Sequence, residues 1–153
     1  MIRGIHHPAL SVPDLERALE FYCGPLGFEV VMQAGWPKGV QLLDDAVGLR
    51  DSACKVAMLR KGNSCIEIFE YSSPTPRPQP AERPVSDHGI THFCLDVVDL
   101  DAEYARLSAA GMRFHSPPVD SGDSKWVYGR DPFGNVIELQ EIVNPANPAA
   151  LDL

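Results

Sequence analysis

Residues 62–68 read Gly-Asn-Ser-Cys-Ile-Glu-Ile, and residues 134–139 read Gly-Asn-Val-Ile-Glu-Leu. In each stretch a Gly-Asn turn leads into a Glu held between two aliphatic residues: Ile66-Glu67-Ile68, and Ile137-Glu138-Leu139 with one residue fewer. Side chains alternate across a β-strand, so each Glu is expected on the face opposite its aliphatic neighbours. The aliphatic pairs suit a face covered by helices. Glu67 then shares its face with Cys65, Phe69 and Tyr71, and Glu138 shares its own with Val136 and Gln140.

The same plan extends upstream of both stretches. His7 precedes Asp14 by seven positions, and His92 precedes Asp99 by seven. In the first half we read a strand over 3–12, then a helix capped by Asp14 with Leu15, Ala18, Leu19 and Tyr22 at helical spacing. Gly24-Pro25 ends that helix. A strand follows over 28–32, then a long loop over 33–52 with at most a short helical turn, then a hairpin of 55–60 and 65–71. The second half repeats the order: a strand over 90–98, a helix over 99–110, a short strand over 112–115, and a hairpin of 125–130 and 136–142. An internal duplication is therefore expected. It predicts an α+β fold of two pseudo-symmetric βαβββ modules, 1–73 and 89–143, whose curved mixed sheet surrounds a metal-binding cup. Residues 74–88, with Pro74, Pro76, Pro78, Pro80 and Pro84, read as an extended, stiff connector. Residues 144–153 read as a loose tail.

Composition sets the outer limits. The chain has 153 residues and a formal net charge of −8, which argues against non-specific nucleic-acid binding, since that needs a basic face. No apolar run approaches the roughly 18 residues of a membrane span. The N-terminal residues show no apolar signal-peptide core, so a cytoplasmic location is expected. Cys23, Cys54, Cys65 and Cys94 form no C-x-x-C pair and are read as reduced, mostly buried thiols.

His7, Glu67, His92 and Glu138 recur at matching points of the two halves. On a strand His7 shares a face with Ile5, Ala9 and Ser11, and His92 with Ile90, Cys94 and Asp96. Taken alone, such a His is usually a satisfied core or surface residue, and such a Glu is the solvent side of an edge strand. Four of them at repeat-related positions point to one purpose. If the modules pair, two imidazoles and two carboxylates meet, a donor set suited to Zn, Ni, Co, Mn or Fe(II) rather than Mg or Ca. Two glutamates in one small space repel without a cation. His6 is out of phase and is expected to point the other way. His88 and His115 have no repeat partner.

The chain resembles the vicinal oxygen chelate superfamily, which includes glyoxalase I, methylmalonyl-CoA epimerase, extradiol dioxygenases, and the bleomycin and fosfomycin resistance proteins. The resemblance runs from Gly4 to Ile142. Its carriers are the His7 to Asp14 segment, Phe21-Tyr22 with Leu26-Gly27-Phe28, Ile66-Glu67-Ile68, His92 to Asp99, and Asp131-Pro-Phe-Gly-Asn-Val-Ile-Glu138-Leu. It implies paired βαβββ modules and metal ligands at His7, Glu67, His92 and Glu138. Glyoxalase I and the epimerase use a fourth ligand where Glu67 lies. The extradiol signature is matched around Tyr128, but residues 119–121 are Val, Asp and Ser, so its catalytic His is missing.

The reading that follows is a metal-dependent lyase or isomerase of the glyoxalase or epimerase type, acting on a small carbonyl substrate or thioester. A metal-stabilised enediolate forms there as Glu138 or Glu67 moves a proton. An extradiol-type dioxygenase and a small-molecule binding or resistance protein are the alternatives. Trp126 and Tyr128 share a strand face and either wall the pocket or pack in the core. The 33–52 loop is either a cover over the site or an idle insertion. Arg50, Lys55, Arg60, Lys61 and Arg113 are scattered and form no substrate handle. The resemblance also implies a homodimer.

Overall fold

The computed structural model describes residues 1–151. The chain divides into two compact units, Met1–Pro78 and a second that begins at Gln79. The architecture is mixed α+β, with two sheets of mixed strand orientation, neither closed into a barrel.

The first unit holds β1 (Ala9–Ser11), α1 (Leu15–Cys23), β2 (Glu29–Trp36), α2 (Gln41–Val47), β3 (Ala53–Lys61) and β4 (Ser64–Ser73). Its sheet runs β1-β4-β3-β2. β1 is parallel to β4, and the other pairs are antiparallel. The Asp14 side chain accepts from the Arg17 N–H, as an N-cap should. Leu15, Ala18, Phe21 and Tyr22 of α1 are buried, and the helix lies on β3 and β4. The sheet residues beneath it, Ala57, Leu59, Ile66 and Ile68, are buried too. Burying these apolar side chains is the main stabilising term of the unit.

The second unit holds β5 (Phe93–Asp96), α3 (Leu100–Ala109), β6 (Arg113–Phe114), β7 (Val119–Asp120), β8 (Ser124–Arg130) and β9 (Val136–Ile142). Its sheet runs β5-β9-β8-β6, with β7 also on β8. β5 is parallel to β9. Leu100, Leu107, Val127, Ile137 and Leu139 form its core.

One device recurs in both units. Glu70, three residues after Glu67, accepts from the first N–H of α1, Leu15, at 2.8 Å. Glu141, three residues after Glu138, accepts from Asp99 and Leu100 at the start of α3, both at 3.0 Å. A carboxylate at a helix N-terminus satisfies open N–H groups and meets the positive end of the helix dipole. The last strand of each unit therefore offers one Glu to each face, and the helix-side one fixes the first turn.

Besides the added strand β7 (Val119–Asp120), the structure departs from the expected element boundaries in four places. The first strand of each unit is shorter than read. Pro8 has no N–H to give, so the regular pattern starts at Ala9, yet the His6 and Pro8 carbonyls still accept from Cys65 and Glu67 of β4. In the second unit the Ile90 carbonyl is taken by the Arg83 guanidinium instead of a strand neighbour. Residues 33–52 are not a loop: β2 continues to Trp36, and α2 follows, closed by Gly48 in the left-handed region at φ +68°. The fourth departure is that the proline-rich stretch contains turns, with Arg83 and Asp87 donating to Pro80 and Pro84. Buried Arg130 holds it there, donating to the Arg83 carbonyl and to Gly134.

The start of the tail is tied down as well. Val143 and Asn144 donate to the Asp123 carbonyl, and residues 152 and 153 lie outside the described set. No helix among the described residues is long and apolar enough to cross a membrane.

Candidate metal centre

In the first unit His7 sits between the two carbonyls that β4 engages, His6 and Pro8. Its register places it two residues before Ala9, which pairs with Glu67. The imidazole Nε2 lies 3.4 Å from Glu67 Oε2. In the second unit Cys94 pairs with Glu138, and His92 is again two residues earlier. Its Nε2 lies 2.9 Å from Glu138 Oε2. The two units thus build the same His–Glu pair at the same ladder position.

The other ring nitrogen is also engaged each time, and by the preceding residue. His7 Nδ1 lies 2.7 Å from His6 Nδ1. His92 Nδ1 lies 2.8 Å from the Thr91 hydroxyl. When these Nδ1 atoms carry the hydrogen, each Nε2 lone pair faces a carboxylate oxygen, and the two atoms need a proton or a cation between them. Such partners fix the tautomer and ring orientation of a metal-binding His. His6 therefore does not point away from His7, as its strand phase suggested. The chain around Pro8 is not a regular strand, so alternation does not hold there. Thr91 and His6 were missed for a simple reason: nothing in the sequence marks a residue whose role is to hold its neighbour.

The separations match a coordination sphere. Two donors about 2.1 Å from one ion stand about 3.0 Å apart at a right angle and about 3.4 Å apart at a tetrahedral angle. Each unit offers two such donors. No group of three or more His, Cys, Asp or Glu able to hold a metal is assembled among the described residues. Each unit brings together one His and one Glu of the four residues read from the sequence.

The surroundings of the two pairs differ. Tyr128 lies opposite Glu138 in the ladder, and its ring meets His92 edge-on at 5.0 Å. Tyr128 and Cys94 both lie beside the Glu138 carboxylate, while the Cys94 thiol donates to the Leu95 carbonyl at 3.8 Å. Loss of hydration around the Cys94 thiol, followed by the nearby Glu138 charge, pushes it up to about 12. Burial and then Glu138 raise Tyr128 as well. Tyr128 and Trp126 are half-buried on the Glu138 face. Of the four free thiols only Cys54 is buried, which corrects the expectation for the others. Cysteine content says nothing about which strand face each thiol occupies.

Around Glu67 the neighbours are aromatic. Phe69 and Tyr71 stack at 5.5 Å, and Trp36 meets both edge-on at 6.4 and 6.3 Å. The indole Nε1 donates to Ser52 at 2.9 Å. The Ser52 hydroxyl donates in turn to buried Asp44, which also accepts from the Asp51 and Ser52 N–H groups. Those hydrogen bonds, the Ser52 side chain first, hold the Asp44 carboxyl below its ordinary range. The 41–52 insertion is pinned to the end of β2. Its Leu49 joins Ser11, Tyr71, Pro74, Thr75, Pro76 and Arg77 around an open cleft of about 260 Å³.

Comparison with known proteins agrees with this architecture. A family model described as the Glyoxalase/Bleomycin resistance protein/Dioxygenase superfamily matches residues 4–139. A 2-epi-5-epi-valiolone epimerase of Actinomyces is 35% identical, over 88% of this chain and 77% of its own. The mitochondrial methylmalonyl-CoA epimerase of Homo sapiens is 26% identical, over 90% of this chain and 73% of its own. The crystal structure of a glyoxalase family protein from Bacillus cereus superposes with a TM-score of 0.83 at 21% identity, covering 93% of this chain and 95% of that one.

Proposed function

The chain belongs to the Glyoxalase/Bleomycin resistance protein/Dioxygenase superfamily, and from that membership we propose that it is a metal-dependent epimerase. Its substrate is a small molecule with a C–H next to a carbonyl or thioester. The observation that carries this reading is the repeated pair, His7 with Glu67 and His92 with Glu138, each Nε2 facing a carboxylate oxygen. In this reading the four residues hold one divalent transition ion of the Zn, Ni, Co, Mn or Fe(II) group.

A bound divalent ion supplies Lewis acidity that acidifies the C–H beside a coordinated carbonyl. The chain's own groups do the rest. Epimerisation takes a proton from one face of a carbon and returns one to the other, which calls for two proton carriers, and Glu67 and Glu138 supply them. They are not equivalent. Glu138 pairs with His92 and is buried, with Tyr128 and Cys94 beside it, whereas Glu67 is more exposed and pairs with His7. Glu67 is the carboxylate freer to swing and to carry the proton. Trp126 and Tyr128 line the Glu138 side and exclude water.

Incubation in D2O with methylmalonyl-CoA, 2-epi-5-epi-valiolone or the methylglyoxal–glutathione hemithioacetal tests the reading. We expect solvent deuterium at the carbon beside the carbonyl with at least one of them. Glu67→Gln should slow exchange at least a hundredfold. Absence of exchange with all three, together with oxygen uptake on catechol, overturns it in favour of ring cleavage.

A further inference from the structure

The cleft bounded by Ser11, Leu49, Tyr71 and the 74–77 segment has no role in the proton chemistry above. It starts close to the metal-binding pair. Ala9 pairs with Glu67 and Ser11 with Phe69, so Ser11 lies two residues, about 7 Å, further along the same sheet face. The Phe69–Tyr71 stack bridges the interval, and Trp36 closes its side. The prolines at 74 and 76 stiffen one wall. The Asp44–Ser52–Trp36 hydrogen bonds fix the insertion that supplies Leu49.

The polar groups of the cleft are unspent. Among the described residues no hydrogen bond or ion pair engages the Arg77 guanidinium or the hydroxyls of Ser11, Tyr71 and Thr75. A guanidinium with three hydroxyls beside an aromatic platform is a recognition set for an oxyanion on a compact, hydroxylated or flat body. We infer that this cleft is the anchoring subsite of the substrate and takes a phosphate- or carboxylate-bearing end, with Arg77 as the specificity-determining residue. The inference rests on the metal-site reading, which puts the reacting carbon near Glu67.

Trp36 reports on the subsite through its contact with Tyr71. In Trp126→Phe protein, Trp36 is the sole tryptophan, and its emission can be titrated at constant ionic strength with myo-inositol 1-phosphate, malonate and uncharged myo-inositol. We expect saturable quenching by at least one anion and none by myo-inositol at the same concentrations. Whichever anion binds identifies the phosphate or the carboxylate. Arg77→Gln should weaken that binding about tenfold or more, and Lys61→Gln, which removes a charge at the far end of the hairpin, should leave it unchanged. Equal binding of charged and uncharged compounds, no binding of either anion, or full binding to Arg77→Gln overturns the inference. Metal content separates the two readings. Metal retained without anion binding defeats the subsite alone. Anion binding in protein whose metal content is indifferent to His7→Ala and His92→Ala defeats the metal site alone.

Discussion

His92 Nε2 stands 2.9 Å from Glu138 Oε2 while its Nδ1 is held by the Thr91 hydroxyl at 2.8 Å. The imidazole is therefore fixed from both sides, with its Nε2 committed to the space shared with a carboxylate. His7 repeats the arrangement with His6 and Glu67. A surface ion pair needs no such second partner, but a metal ligand does.

Removing the partner should loosen the ligand without removing it. His6→Ala and Thr91→Val are each expected to weaken divalent-metal affinity about 10- to 100-fold. Competition with a fluorescent chelator measures this. Unchanged affinity in both variants would mean that the Nδ1 contacts are incidental.

The helix-side glutamates are structural. Glu141 satisfies two open N–H groups at the start of α3, so Glu141→Ala should cost about 1–3 kcal/mol of stability. Glu141→Gln, which keeps an acceptor but loses the charge, should recover part of it. Urea unfolding followed by circular dichroism distinguishes the two.

The turn 131–135 is rigid for reasons that its sequence encodes. Buried Asp131 accepts from Phe133 N, Asn135 N and Asn135 Nδ2. Gly134 has φ +90°, and a Cβ there would lie 2.7 Å from the Ala81 carbonyl oxygen. Gly134→Ala should therefore destabilise by about 1–3 kcal/mol or more. Gly62, the matching position of the first unit, has φ +55° and nothing within 4 Å. Gly62→Ala should give the smaller fall in melting temperature, and the reverse order would contradict this account of the turn.

Asp44 makes stability depend on acid pH. Its carboxyl sits below the ordinary range because Ser52 and Asp51 donate to the charged form. Its contribution is therefore fully present above the unfolded carboxylate range, near pH 4. It is lost as pH falls through the lower folded value. Asp44→Asn should flatten the acid limb of a melting-temperature profile below about pH 5, with little change in slope at neutral pH.

The parts of the fold visible in the sequence are those tied to a repeating pattern. Glu67 and Glu138 between aliphatic pairs, and Asp14 and Asp99 before helical periodicity, each encode a local rule that the structure obeys. What was hidden depends on contacts between distant residues. Residues 33–52 lack periodicity; β2 is ordered by its ladder with β3, and the Asp44–Ser52–Trp36 bonds tie α2 to the end of that strand. The proline-rich stretch looks like a free connector until Arg130, nearly fifty residues away, is seen to hold the Arg83 carbonyl. Strand alternation puts His6 on the face opposite His7, but it does not hold before Ala9, where the regular ladder begins. Tyr71, Thr75 and Arg77 gave no sign of a shared cleft because they straddle the end of a strand and the start of the prolines.

The central claim is that His7, Glu67, His92 and Glu138 serve one metal ion. Protein purified without chelator, supplied with a divalent transition metal and passed over a desalting column, can be assayed for bound metal by mass spectrometry. The account predicts about one ion per chain in the wild type. In a Glu67→Gln/Glu138→Gln double variant with an unchanged circular dichroism spectrum, it predicts a loss of at least tenfold in occupancy. Full occupancy in that double variant, or none in the wild type with any metal of the group, would contradict it.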